Sequence, residues 1–127
     1  MINVSNEELI CLMETGYLNL AMGKFNEAKE IFEGVEMLVP ESEAVQIALG
    51  NLYFDQGNLE EAEKAFQKAV FFNPQNSLSR VYLYKTLLTE GKKQEAIVGL
   101  KEIATHEKQE AVINMAKALL EAVGEEV

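Results

Sequence analysis

A set of residues recurring at a spacing of 34 positions constrains this chain more than any other feature. Gly16 and Gly50 stand at this spacing, and four more identical pairs share it: Gly23 with Gly57, Ala28 with Ala62, Phe32 with Phe66, and Pro40 with Pro74. A third copy is fainter and carries Gly91, Ala96 and Leu83 at the matching positions. Self-similarity at a fixed period is the signature of repeat architectures. The sequence therefore predicts a stack of similar units.

Each unit is predicted to contain two helices joined by a short turn. Pro40 and Pro74 separate the units, because proline does not continue a helix easily. A glycine followed by Lys or Asn marks the turn inside each unit. Ser5 and Glu8 form a capping-box pattern that starts the first helix. We expect no strand, and helices near 5–21, 25–37, 41–55, 59–72, 76–89, 93–105 and 109–123.

The second helix of each unit carries a single apolar stripe. Small alanines near the turn let two helices approach closely, and a larger residue one turn later fills the gap between units. No unit can bury its apolar surface alone, so the units must stack. The stripes are Ala28, Ile31, Phe32 and Val35; Ala62, Ala65, Phe66, Ala69 and Val70; and Ala96, Ile97, Leu100 and Ile103.

These spacings resemble the tetratricopeptide repeat. The family pattern W-x2-L-G-x2-Y…A-x3-F…P is present as Gln46-x2-Leu49-Gly50-x2-Tyr53…Ala62-x3-Phe66…Pro74, with only the opening tryptophan missing. The resemblance implies an all-α fold, a right-handed α-solenoid of three helix pairs with a closing helix. It places the repeats at about 9–42, 43–76 and 77–110 and the closing helix at about 109–123, within a single domain of residues 1–127.

The closing helix is apolar on more than one side. Its predicted inner stripe leaves Ile113 and Leu120 outside, and a terminal cap should present a polar outer face. Two interpretations stay open: these residues pack on the preceding unit, or they contact a partner or another copy of the chain. The inner stripe consists of Val112, Met115, Ala116, Leu119 and Val123.

Composition argues against several functions. The net charge of −10 and the pI of about 4.6 would repel phosphate backbones, so we expect no nucleic-acid partner. No apolar run approaches the length of a membrane span and no secretory signal opens the chain, so we expect no membrane partner and a cytoplasmic location.

Catalytic and metal-binding groups are sparse. Cys11 and His106 are the only cysteine and histidine, so Cys–His metal sets cannot be built and we expect no metal and no cofactor. Cys11 is predicted to be buried and inert. His106 is predicted to lie exposed or to favour the dipole at a helix end. We therefore expect no enzyme.

The family resemblance implies that the first helix of each unit lines a concave face that binds a peptide or helix. The best-known ligands of the family are acidic chain ends, which a clamp of Lys, Asn and Arg holds. Asn51 matches one clamp position. The predicted face is otherwise nearly uncharged, with Lys85 as the clear exception, so this clamp is not expected here. An apolar groove suits an amphipathic helix or an apolar extended segment; alternatively, part of it is ordinary core. The predicted wall is Ile10, Met13, Tyr17, Leu20, Ala44, Ile47, Asn51, Phe54, Leu78, Val81, Lys85 and Leu88.

A narrower resemblance follows from size, acidity and groove character. The chain looks like the chaperones of bacterial type III secretion, and this resemblance implies a protein partner. That partner would be a secreted needle subunit or a translocator, held with or without a second small co-chaperone. The alternative function is an assembly module that forms a homo-oligomer through its closing helix.

Overall fold

The computed structural model describes residues 4–125. Within that range the regular secondary structure consists of α-helices joined by short turns, with no strand. Each helix packs mainly on the helices that precede and follow it, and α5 also contacts α7. The predicted all-α class is confirmed, whereas the repeat boundaries stay a prediction. The helices are α1 Asn6–Ala21, α2 Phe25–Leu38, α3 Glu43–Asp55, α4 Leu59–Phe72, α5 Ser77–Thr89, α6 Lys93–His106 and α7 Glu110–Ala122.

Polar side chains set where several helices begin. The Ser5 hydroxyl accepts the backbone N–H of Glu8 at 3.1 Å, as the capping-box pattern predicts. Ser42 accepts the N–H of Val45 in the same way and starts α3 two residues later than predicted. Such caps satisfy backbone donors that have no partner inside the helix, and each stabilises by about 1 kcal/mol.

The turn inside each helix pair has one geometry that occurs three times. Gly57 has φ +79°, and Gly23 and Gly91 have φ +73° and +85°. Only glycine adopts this left-handed conformation without cost from a Cβ atom. The N–H of Asn58 donates to the carbonyl of Tyr53 at 2.8 Å, and the N–H of Gly57 to that of Phe54 at 2.9 Å. This bonding is a Schellman motif, which closes α3 and redirects the chain into α4.

Within each pair, a glycine on one helix leaves room for an aromatic ring on the other. A Cβ atom on Gly50 would overlap the ring of Phe66, and the first pair has the same arrangement. In the third pair the roles are reversed: Tyr84 stands at the glycine position of α5, and Gly99 of α6 leaves the space. The departure from the family pattern at Tyr84 is therefore compensated by a second departure at Gly99.

The core consists of two clusters joined through the middle helix pair. The first cluster lies around Phe32, Val35 and Leu52 and unites the first two pairs. The second lies around Val81 and Leu100 and unites the third pair with α7. Burial of these side chains across the junctions between pairs holds the stack together.

The closing helix packs more deeply than predicted. Val112, Ala116 and Leu120 are its buried residues, and Leu120 is inaccessible to solvent. The prediction that Leu120 lies outside the inner stripe is wrong. The 34-residue register relates Leu120 to Thr86 and Leu52, and all three face the preceding helix pair. Leu120 therefore belongs to the core and cannot anchor contact with another copy.

A charged cluster connects the second and third pairs. Lys92 Nζ lies 2.8 Å from a carboxylate oxygen of Glu63 and 3.6 Å from one of Glu90. The other Glu90 oxygen is buried, and no residue in the described part of the chain bonds it. Burial raises the pKa of Glu90, whereas the hydrogen bond from Lys92 lowers the pKa of Glu63. Ionised Glu90 is therefore unfavourably placed.

Glu90→Gln should raise the melting temperature at pH 7 by about 4 °C, the shift that about 1 kcal/mol produces in a chain of this size. An acid whose pKa is raised by folding costs stability as pH rises from its unfolded pKa through its folded one. The gain should therefore be smaller at pH 4 than at pH 7. Thermal unfolding at both pH values measures it, and equal gains at the two would contradict this account.

Candidate protein-binding groove

An open groove of about 900 Å³ lies along α1 and α3 and reaches the start of α5. Its volume is within the range of ligand-binding sites. The second helix of the first pair also contributes to the floor. The lining residues are Asn6, Leu9, Ile10, Met13, Glu14, Tyr17, Val35, Val39, Ser42, Ala44, Val45, Ile47, Asn51, Leu78 and Tyr82.

The structure brings seven of the twelve predicted wall residues to this groove. They come from three different helices that the 34-residue register relates, and they line one cavity over the first two pairs and the beginning of the third. The seven are Ile10, Met13, Tyr17, Ala44, Ile47, Asn51 and Leu78.

Two predicted wall residues are corrected by the structure. Leu20 and Val81 are buried, Leu20 in the first core cluster and Val81 in the second. The predicted stripe advanced by three and four residues alternately, and such a 3.5-residue spacing drifts around a helix of 3.6 residues per turn. The drift turns Leu20 towards the core. At the third pair, Tyr82 lines the groove instead of Val81.

Three other predicted residues lie outside the groove. Lys85 Nζ lies 4.7 Å from the centroid of the Phe54 ring, a cation–π contact. Leu88 packs on the second core cluster. These residues therefore continue the helices beyond the cavity without contributing to its lining.

The groove also contains residues that the sequence reasoning omitted from the wall. Val35 and Val39 belong to the end of α2 and the segment after it, and only first helices were considered for the wall. The Val35–Val39 spacing of one helical turn just before Pro40 was the available signal.

Tyr17 holds a fixed place at the centre of the groove. Its ring meets Phe32 edge-on, with 5.2 Å between ring centroids, an arrangement that aromatic pairs favour. Burial raises the pKa of Tyr17 above its ordinary value, and the neighbouring side-chain amide of Asn51 partly opposes this rise. The hydroxyl is therefore neutral at physiological pH, and the ring is positioned before any ligand arrives.

The electrostatics of the groove do not suit an acidic ligand. Among the residues that line it in the described chain, Glu14 carries the single charge and there is no lysine or arginine. Asn6, Ser42 and Asn51 supply the polar groups. A groove of this composition gains binding energy by burying apolar side chains and orients them with a few hydrogen bonds.

Cys11 and His106 do not form a catalytic or metal-binding site with each other. Cys11 is exposed, which corrects its predicted burial: it lies on the face of α1 that no preceding helix pair covers. His106 is exposed at the end of α6, with Nδ1 3.3 Å from the carbonyl oxygen of Glu102. Across the described residues, no group of three or more His, Cys, Asp and Glu side chains is arranged to hold a metal ion.

The chain belongs to the tetratricopeptide repeat family, whose sequence model matches residues 19–83. This match runs from the end of α1 into α5 and so includes the whole second helix pair, which carries the clearest copy of the pattern. The predicted family is confirmed. No curated protein sequence matches the chain.

Three solved structures share the fold. The type III secretion translocator chaperone SycD of Yersinia enterocolitica has a TM-score of 0.83 at 19% identity, over 93% of this chain and 91% of SycD. PcrH in complex with the chaperone binding region of PopB has a TM-score of 0.80 at 20% identity, over 94% of this chain and 100% of PcrH. PcrH in complex with the chaperone binding region of PopD has a TM-score of 0.80 at 22% identity, over 97% of this chain and 96% of PcrH. These matches confirm the predicted right-handed α-solenoid.

A helix must contain about 20 mainly apolar residues to cross a bilayer. None in the described part of the chain is both long and apolar enough.

Proposed function

We propose that this chain is a non-catalytic binding protein whose groove holds an apolar segment of another protein. More narrowly, we propose a cytoplasmic chaperone for a secreted subunit of a type III secretion system. The observation that supports this function best is the groove of about 900 Å³ with a single charged lining residue. The shared fold with PcrH, which was solved with chaperone binding regions of PopB and PopD, supports a translocator as the partner.

The physical logic of such a chaperone is to cover apolar surface before export. A secreted subunit that inserts into a membrane or self-assembles carries apolar segments that would associate prematurely. A groove lined by Met13, Tyr17 and Ile47 replaces water around such a segment. Methionine adapts to side chains of different shape, and the fixed Tyr17 ring reduces the entropy lost on binding.

The other expectations receive less support. A needle subunit and a second small co-chaperone remain proposals, and the three structures described above name neither. An assembly module joined through the closing helix is not favoured, because Leu120 is buried against the preceding pair. The acidic surface and the apolar groove give no support to nucleic-acid binding.

The test is co-expression with the translocator encoded in the same genome, followed by co-purification and an affinity measurement. Ile10→Glu with Ala44→Glu places two carboxylates in the groove on exposed positions, so folding should be preserved. We expect binding to weaken by about a hundredfold, because each charge loses water without gaining a partner.

The matched control is Val98→Glu, on the exposed side of α6 and about as exposed as Ile10, at 67% against 57%. It should bind like the wild type. Tyr17→Glu and Phe54→Glu are poorer probes, because Tyr17 packs on Phe32 and Phe54 does not line the groove. Wild-type affinity in a folded Ile10→Glu, Ala44→Glu variant would exclude the groove as the binding site.

A further inference from the structure

Three hydrogen-bond donors converge on the carboxylate of Glu43, the first residue of α3. Asn76 Nδ2 donates to Oε2 at 2.9 Å, and Ser79 Oγ donates to the same oxygen at 2.8 Å. Asn73 Nδ2 donates to Oε1 at 3.4 Å. We define these four residues as the Glu43 network. It joins the start of α3 to the end of α4 and the start of α5, which lie 30 to 36 residues further along the chain.

The Glu43 network is not a requirement of the repeat. The positions 34 residues earlier carry Leu9, Val39, Ser42 and Val45. Val45 is buried in the first core cluster, and Leu9 and Val39 pack against that cluster. The junction between the first and second pairs is therefore closed by apolar contact. The junction between the second and third pairs is closed by hydrogen bonds to a carboxylate.

The two junctions also differ in their relation to the groove. All four residues of the apolar junction line the groove, so this junction is open to a ligand. The members of the Glu43 network lie outside the lining, and Ser79 is inaccessible to solvent. The second junction is therefore filled by its own side chains, and the groove passes it at Leu78.

Leu78 lies between two members of the Glu43 network. Asn76 Oδ1 accepts the backbone N–H of Leu78 at 3.0 Å while Nδ2 of the same side chain donates to Glu43. Both polar atoms of the Asn76 side chain are therefore held. On the other side of the junction, Ala44 follows Glu43 and lines the groove. The network thus links the two chain segments that carry Ala44 and Leu78.

Hydrogen bonds to a carboxylate fix this junction more narrowly than apolar packing would. Bonds to a charged acceptor are about twice as strong as neutral ones, and they depend on distance and direction. Apolar contact is non-directional. The first turn of α3 also favours a negative charge through the helix dipole. The start of α5 is therefore restrained in direction as well as in distance from α3.

We propose that Glu43 is a positioning residue of the groove: its carboxylate holds the start of α5, and Leu78 with it, in one place relative to α3. A groove whose walls are already placed loses less entropy on binding. Glu43 acts through Leu78 and does not contact the ligand. The effect on binding rests on the proposed function, whereas the placement of Leu78 does not.

A distance measurement in the free protein tests the placement. Glu41 and Gln75 are exposed and precede the N-caps of α3 and α5. Nitroxide labels on Glu41→Cys and Gln75→Cys, with Cys11→Ser, report the distribution of distances between the two helix starts by double electron–electron resonance. Glu43→Gln replaces an acceptor oxygen with a donor, so the distribution should widen.

The matched control is Glu110→Gln. Glu110 is exposed and is the first residue of α7, so its substitution removes the same charge from the same position of a helix. The distance distribution should stay as in the wild type. An unchanged distribution in Glu43→Gln, or equal widening in both variants, would overturn the proposal.

The affinity for the co-expressed translocator tests the consequence for binding. Glu43→Gln should weaken binding by about tenfold, and Glu110→Gln should bind like the wild type. Equal affinity of the wild type and Glu43→Gln would overturn the role in binding. A wild type that does not bind the translocator would count against the proposed function, while the distance distributions still decide the placement of Leu78.

A variant with the residues of the first junction separates placement from stability. Replacing buried polar groups with apolar ones often leaves a protein equally or more stable, so this variant should melt no lower than Glu43→Gln. Its distance distribution should nevertheless stay wide, because apolar packing lacks direction. A narrow, wild-type distribution in the folded variant would overturn the proposal. The substitutions are Glu43→Leu, Asn73→Val, Asn76→Ser and Ser79→Val.

Discussion

Phe66→Ala is expected to lower the free energy of unfolding by about 3–5 kcal/mol, the usual cost of truncating a buried phenylalanine. Phe66 is 1% exposed, lies over Gly50 of its own pair, and stacks on Tyr82 of the next pair with 5.5 Å between ring centroids. Its loss would leave a cavity at the junction of two units that cannot bury their surfaces separately. Urea denaturation followed by circular dichroism measures the change.

The control for this substitution lies on the same helix. Phe71 is 80% exposed, so Phe71→Ala should change the stability by no more than about 0.5 kcal/mol. Both variants remove the same atoms from an α-helix and share its propensity effect. Similar losses in the two would mean that the junction does not depend on the buried ring.

Gly50→Ala is expected to cost about 1–3 kcal/mol, although alanine favours helices more than glycine does. The added Cβ atom would overlap the Phe66 ring, so α3 and α4 would have to separate. Gly34 lies in α2 with open space around its Cα atom, and Gly34→Ala should stabilise by up to about 1 kcal/mol. Denaturant unfolding of the two variants should therefore show changes of opposite sign.

The third helix pair suggests how the loss at Gly50 can be recovered. There a larger residue, Tyr84, occupies the glycine position, Gly99 leaves room for its ring, and Leu100 stands in place of the phenylalanine. Combining Gly50→Ala with Phe66→Leu should therefore cost less than the sum of the two single substitutions. Simple additivity would show that the ring and the glycine are not coupled.

The architecture follows from repeated local patterns in the sequence. Five identical pairs at an offset of 34 residues, together with glycine turns and proline separators, require helix pairs that stack. These features are local, because φ at Gly57 or the cap at Ser5 depends on residues within one turn. The concave face was also predictable, because equivalent first helices must face the same side of the stack. The structure accordingly brings Ile10, Ile47 and Leu78 together.

The direction in which individual side chains point depends on tertiary packing and could not be predicted from the repeat pattern. Whether Leu20 or Tyr17 reaches the groove depends on a small rotation around α1, and Leu120 and Cys11 were misplaced because apolarity does not reveal which neighbour is present. Leu18 and Leu52 occupy equivalent positions in equivalent helices, yet one is exposed and the other buried. The physical reason is that burial is a property of the pair of surfaces in contact, and α1 has no preceding helix pair in the described chain.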